Sequence, residues 1–138
     1  MTDRRTILYA EDDPDFRRIY ERTLKRNFPE NPVEIFPDGG SLERRLAENL
    51  DSAALVITDN DMPIMAGGKV IIRGYGSKII KDHARRNGFR QIPFLLLYAG
   101  EPIIGKVAVE NGAFAYADKL SGMDNIIATV KRALEHPR

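Results

Sequence analysis

A chain of 138 residues has room for one domain and little more. Its 43% apolar and 30% charged residues exclude a disordered or collagen-like chain. With no cysteine and only two histidines, disulfides, thiol nucleophiles and cysteine-ligated metals are excluded, while the net charge of +1 hides an uneven distribution along the chain.

Strand-like and helix-like segments alternate along the chain. The apolar run 6–10 reads as a strand bounded by acids, and 14–28 as a helix with Phe16, Ile19, Tyr20, Thr23 and Leu24 on one face. Pro14 suits the first helical position, where its missing N–H costs nothing. A second strand is expected at 33–36. A second helix follows at 41–50, with Leu42, Leu46 and Leu50 at helical spacing beyond the Asp38-Gly39-Gly40 turn. The run 53–57 is apolar on both faces, as a central parallel strand requires. A third helix is expected at 77–87, capped by Ser77 and stopped by Gly88. The segment 92–98 reads as another buried strand, 102–111 as a weak helix interrupted by Gly105, and 113–117 as a fifth strand. The last helix is expected at 123–134, with a capping box from Ser121 to Asp124. Five βα units argue an α/β fold: one doubly wound parallel sheet with helices on both faces, in a single domain over 1–138.

The apolar runs are too short to span a bilayer, and the five residues 6–10 cannot form a secretory core, so the cytoplasm is the expected address and no membrane partner is expected. Residues 69–91 carry seven Lys/Arg against Asp82 alone. Without interleaved aromatics or a nucleic-acid motif, this stretch reads as a solvated helix face, which argues against nucleic acid as a partner.

In open α/β sheets the site lies at the carboxyl ends of the strands. Here the first strand ends in Glu11-Asp12-Asp13, the third in Asp59-Asn60-Asp61, the fourth in Tyr98 and the fifth in Asp118-Lys119. Asp13, just before Pro14, also suits a helix N-cap. Two carboxylates about 4 Å apart repel by roughly 4 kcal/mol at an effective dielectric near 20. Protonation, the lysine, or a hard divalent cation with oxygen ligands must offset this.

These motifs together resemble the receiver domain of two-component response regulators, along essentially the whole chain. The residues 7–14 (ILYAEDDP) look like its first strand and acidic pair, and 56–67 (VITDNDMPIMAG) like its phosphoacceptor segment. The residues 92–97 (IPFLLL) and 112–119 (GAFAYADK) look like its fourth and fifth strands. The resemblance implies a flavodoxin-like strand order 2-1-3-4-5, an order the doubly wound chemotaxis regulators share. It implies Asp59 as phosphoacceptor and Mg²⁺ held by Asp12 and Asp59 directly, by Glu11 through water, and by the backbone carbonyl of Asp61. It further implies Lys119 as partner of the phosphoryl group and Tyr98 and Tyr116 as switch positions. A histidine kinase or phosphotransfer protein would donate the phosphoryl group. A downstream protein would dock on the fourth helix, fifth strand and fifth helix, with the chain a monomer or weak homodimer. The implied role is a signalling phosphoprotein, not an enzyme, acting alone or within a longer regulator.

Three departures stand out. Tyr98 stands where the family has Ser or Thr, and Leu120 where it has proline after the lysine. The stretch 68–91 is longer by roughly eight residues than a short loop and one helix need. The surplus near 68–76, with Lys69-Val70-Ile71-Ile72-Arg73 between glycines, is expected to form an ordered strand or hairpin arm beside the site. Two rival functions follow from the same residues. One is a degenerate receiver that docks without phosphorylation. The other is a haloacid-dehalogenase-type phosphatase using Asp59 as nucleophile and Asp61 as acid, which leaves Glu11 and Asp12 unexplained.

Overall fold

The central strands are apolar along most of their length because both of their faces are covered, and alternation assigns successive side chains to opposite sides. The computed structural model describes residues 3–86 and 92–136. In β1 (Thr6–Ala10), Leu8 and Ala10 join one core cluster and Ile7 and Tyr9 the other. Strands β2 (Val33–Phe36), β3 (Ala53–Asp59), β6 (Phe94–Tyr98) and β7 (Ala115–Asp118) complete a parallel sheet in the order β2-β1-β3-β6-β7. Setting the separate β4–β5 hairpin aside, this is the 2-1-3-4-5 order that the resemblance implies.

Helices α1 (Pro14–Asn27) and α5 (Met123–Glu135) cover one face, burying Tyr20, Leu24, Ile126, Val130 and Leu134 against Leu55, Ile57, Leu95 and Leu97. Helices α2 (Gly39–Leu46), α3 (Tyr75–His83) and α4 (Pro102–Glu110) cover the other, where Leu42, Leu46, Ile79, Ile80 and Ala108 meet Leu8, Val56, Phe94 and Leu96. Each fully buried side chain of this size contributes about 1.5–3 kcal/mol. Of the five residues expected on the buried face of α1, only Tyr20 and Leu24 are buried; Phe16 and Ile19 are exposed.

Local chemistry shifts several expected boundaries. Asp38 caps α2 by accepting from Ser41 N–H, so that helix begins at Gly39 and ends at Leu46. Ser77 does not cap α3, which starts at Tyr75 after Gly74 (φ 132°); the stop expected at Gly88 lies outside the described residues. The Ser121–Asp124 capping box does not form, because Ser121 Oγ donates to the Asp118 carbonyl instead. Gly105 leaves α4 unbroken. A Cβ there would lie 2.1 Å from Tyr116 Cδ2, so the glycine makes room for the ring rather than ending the helix.

The expected arm is a two-stranded antiparallel hairpin that begins before the 68–76 stretch: β4 (Pro63–Ala66) turns through Gly67 and Gly68 into β5 (Lys69–Arg73), while Tyr75 and Gly76 already belong to α3. It joins the end of β3 to α3 and so stands beside the carboxyl ends of the main strands. None of the described helices is long and apolar enough to cross a membrane.

Candidate functional site

β1 and β3 are neighbours whose following segments leave toward opposite faces of the sheet, which opens a crevice at their carboxyl ends. Glu11, Asp12, Asp13, Asp59, Asp61 and Lys119 line one cavity of about 230 Å³ there, with Phe16, Arg73 and Ala99. Carboxylate oxygens of Glu11, Asp12 and Asp59 all lie within 4.8 Å of one another. Glu11 and Asp59 are almost wholly buried, at 0% and 1% exposure.

Lys119 arrives from the end of β7 and places Nζ 2.6 Å from Glu11 Oε1 and 2.8 Å from Asp59 Oδ1. The first contact is a hydrogen bond. The second is an ion pair by distance only, because no donor is aligned on Asp59 Oδ1. Tyr9 Oη and Asp13 N–H also donate to Glu11, at 3.2 and 3.3 Å. Asp13 itself caps α1, accepting from the N–H groups of Asp15 and Phe16.

Burial and the charge of Asp59 push Glu11 up to about 7, with Lys119 opposing them. Asp12 is raised for the same two reasons. Burial works against the Lys119 ammonium, but Asp59 and Glu11 outweigh it and hold that pKa above the ordinary lysine value. Three acids therefore face one buried lysine, and the site keeps a surplus of negative charge.

That surplus and the buried Asp59 Oδ1, which is ion-paired to Lys119 but accepts no aligned hydrogen bond, fit a hard divalent cation, which takes carboxylate and carbonyl oxygens. Glu11, Asp12 and Asp59 are the residues that could hold it. The Asp61 side chain is exposed, and its carbonyl accepts a 3.4 Å hydrogen bond from Arg73.

Behind the acids, the start of α3 runs hard against the end of β3. A Cβ on Gly76 would lie 2.3 Å from the Asp59 carbonyl oxygen, so only glycine allows this approach. Asn60, buried at 9% exposure, accepts from Ser77 N–H at 3.1 Å and from its hydroxyl at 2.5 Å. These contacts fix the backbone on which Asp59 sits.

No protein-family model matches the chain, and no curated protein does. Solved structures match along almost its whole length. A response regulator receiver domain from Clostridium thermocellum is 20% identical with a TM-score of 0.76, covering 95% of this chain and 94% of that one. The signal receiver domain of a DNA-binding response regulator from Colwellia psychrerythraea is 19% identical with a TM-score of 0.77, covering 95% and 98%. A chemotaxis response regulator of Vibrio cholerae is 20% identical with a TM-score of 0.71, covering 94% and 98%.

The chain has the receiver fold.

Within this receiver fold the residues singled out from sequence fall into two groups. Glu11, Asp12, Asp59, Asp61 and Lys119 share the cavity. Tyr98 and Tyr116 do not line it: their ring centroids are 5.8 Å apart at 51°, and Tyr98 is buried at 4% exposure. Tyr116 packs half-buried against the core beside Gly105. Sequence reasoning missed Arg73 in the cavity and the Asn60–Ser77 brace. The single arginine closing Val70-Ile71-Ile72 before Gly74 was the signal available for the first.

Proposed function

We propose that this chain is a phosphoacceptor receiver domain, spanning residues 1–138, that takes a phosphoryl group onto Asp59 from a phosphohistidine of a histidine kinase or phosphotransfer protein. The observation that carries this reading is the position of Asp59: buried at the carboxyl end of β3, 2.8 Å from Lys119 Nζ, beside Glu11 and Asp12. A carboxylate oxygen of Asp59 forms the new O–P bond as the donor's N–P bond breaks, giving an acyl phosphate. Lys119 is placed to neutralise charge on the phosphoryl oxygens, and the buried site keeps that interaction strong. Asp12, Asp59 and the Asp61 carbonyl would hold Mg²⁺ directly, and Glu11 through water. When bound, the cation supplies electrostatic stabilisation of the transferring phosphoryl group. The output is a change of protein contacts, with α4, β7 and α5 as the surface for a downstream partner.

A second reading rests on Tyr98. Its ring lies against Tyr116 rather than in the cavity, so it cannot place a hydroxyl where Ser or Thr would. Under that reading phosphoryl transfer survives, but the equilibrium around Tyr116 responds little or is preset. Incubation with Mg²⁺ and a small acyl phosphate separates the phosphoacceptor, under either reading, from the two rival functions. A stable phosphoprotein supports the receiver, continuous hydrolysis supports an aspartyl phosphatase, and no reaction supports a docking module.

A further inference from the structure

The hairpin brings a cation into the acidic cavity. Arg73, the last residue of β5, pairs in register with Pro63, which holds its backbone beside the Asp59-Asn60-Asp61 segment. Its Nη2 donates to the Asp61 carbonyl at 3.4 Å and lies 3.9 Å from Asp12 Oδ2. These are two of the oxygens that the proposed function assigns to Mg²⁺. A guanidinium and a divalent cation compete for these oxygens, since two positive charges brought to the same pair of oxygens repel. We infer that Arg73 is a built-in counter-cation: its side chain sits against the Asp12 and Asp61 oxygens until a divalent metal displaces it, so that metal binding releases the Arg73 side chain from the site.

Two features make the contact displaceable. Both distances are long, and the Arg73 side chain is 58% exposed, which places it among weak, solvent-screened pairs. The buried positive charge of Lys119 stays with Glu11 and Asp59, so Arg73 is the cation free to leave.

The inference rests on the metal reading of the site, and its test separates the two. Mg²⁺ is titrated into the whole chain by amide NMR for wild type, Arg73→Gln, Lys69→Gln and Asp12→Ala. Lys69→Gln removes the same charge from the start of β5. Arg73→Gln is expected to bind Mg²⁺ about two- to five-fold more tightly, the range set by loss of one exposed ion pair. Lys69→Gln should leave the Kd unchanged. In wild type the Arg73 and Gly74 amides should shift along the same isotherm as Asp12, and in Arg73→Gln that response should vanish. Equal affinities for wild type and Arg73→Gln, weaker binding by Arg73→Gln, equal tightening by Lys69→Gln, or silent hairpin amides would each overturn the inference alone. Binding by neither wild type nor Arg73→Gln, or binding undiminished by Asp12→Ala, would overturn the metal reading and the inference with it.

Discussion

Glu11 makes the metal-free protein sensitive to pH in a direction that can be worked out. Its folded pKa is about 7, raised from an ordinary 4.5 by burial and by Asp59. The folded state therefore holds a proton that the unfolded chain has released between these values, and stability falls as pH rises from about 4.5 through about 7. The full difference is about 3 kcal/mol, at 1.36 kcal/mol per pKa unit. Asp12, also raised, acts in the same direction. Glu43 and Asp82 are held low, so their contribution is lost only on acidification below the ordinary carboxylate range. Glu11→Gln removes the titrating group while keeping an oxygen for the Lys119 ammonium. It sacrifices the 3.3 Å bond from Asp13 N–H, a cost of about 1 kcal/mol. The variant should thus be about 2 kcal/mol more stable than wild type at pH 8. Its stability should fall much less than that of wild type between pH 5 and 8, with Asp12 the raised carboxyl that remains. Urea unfolding followed by far-ultraviolet circular dichroism in EDTA measures both curves. A wild-type curve that is flat or rising over that range, or a glutamine variant with an equally steep fall, would refute the reasoning.

Three further outcomes follow from the same geometry. Gly76→Ala forces backbone movement at Asp59 and should cost about 2–3 kcal/mol in urea unfolding, beyond what helix propensity returns; an unchanged midpoint would show that the close approach is soft. Mg²⁺ at a hundred times its Kd should stabilise wild type by about 2.7 kcal/mol, and Asp12→Ala should lose most of this in thermal unfolding; an identical shift in both proteins would place the metal elsewhere. Tyr98→Thr should lose about 3 kcal/mol by deleting a buried ring but gain a larger phosphorylation-dependent shift around Tyr116 by NMR. A full rearrangement in wild type, with nothing added by the variant, would contradict the preset equilibrium.

The sheet was legible because strands buried on both faces leave continuous apolar runs, as in Leu55-Val56-Ile57 and Phe94-Leu95-Leu96-Leu97. The acids and Lys119 were legible because strand ends in this architecture share one side of the sheet. Helix starts were harder to place. The same serine chemistry that suits a cap also suits a bond to Asn60 or to the Asp118 carbonyl, and only tertiary contacts decide between them. Gly105 looked like a helix breaker because its reason, the Tyr116 ring, lies on another element. Arg73 was hidden for a related cause: its proximity to Asp12 depends on hairpin register, which local periodicity does not report.

The central claim is that Asp59 accepts a phosphoryl group. Its most direct test is mass spectrometry of the chain after incubation with Mg²⁺ and an acyl phosphate, with borohydride reduction to trap the acyl phosphate at its residue. The account predicts a single modification mapped to Asp59, dependent on Mg²⁺ and abolished in Asp59→Asn. An unmodified chain, or a modification mapped to Asp12 or Asp61 with Asp59 untouched, would contradict it.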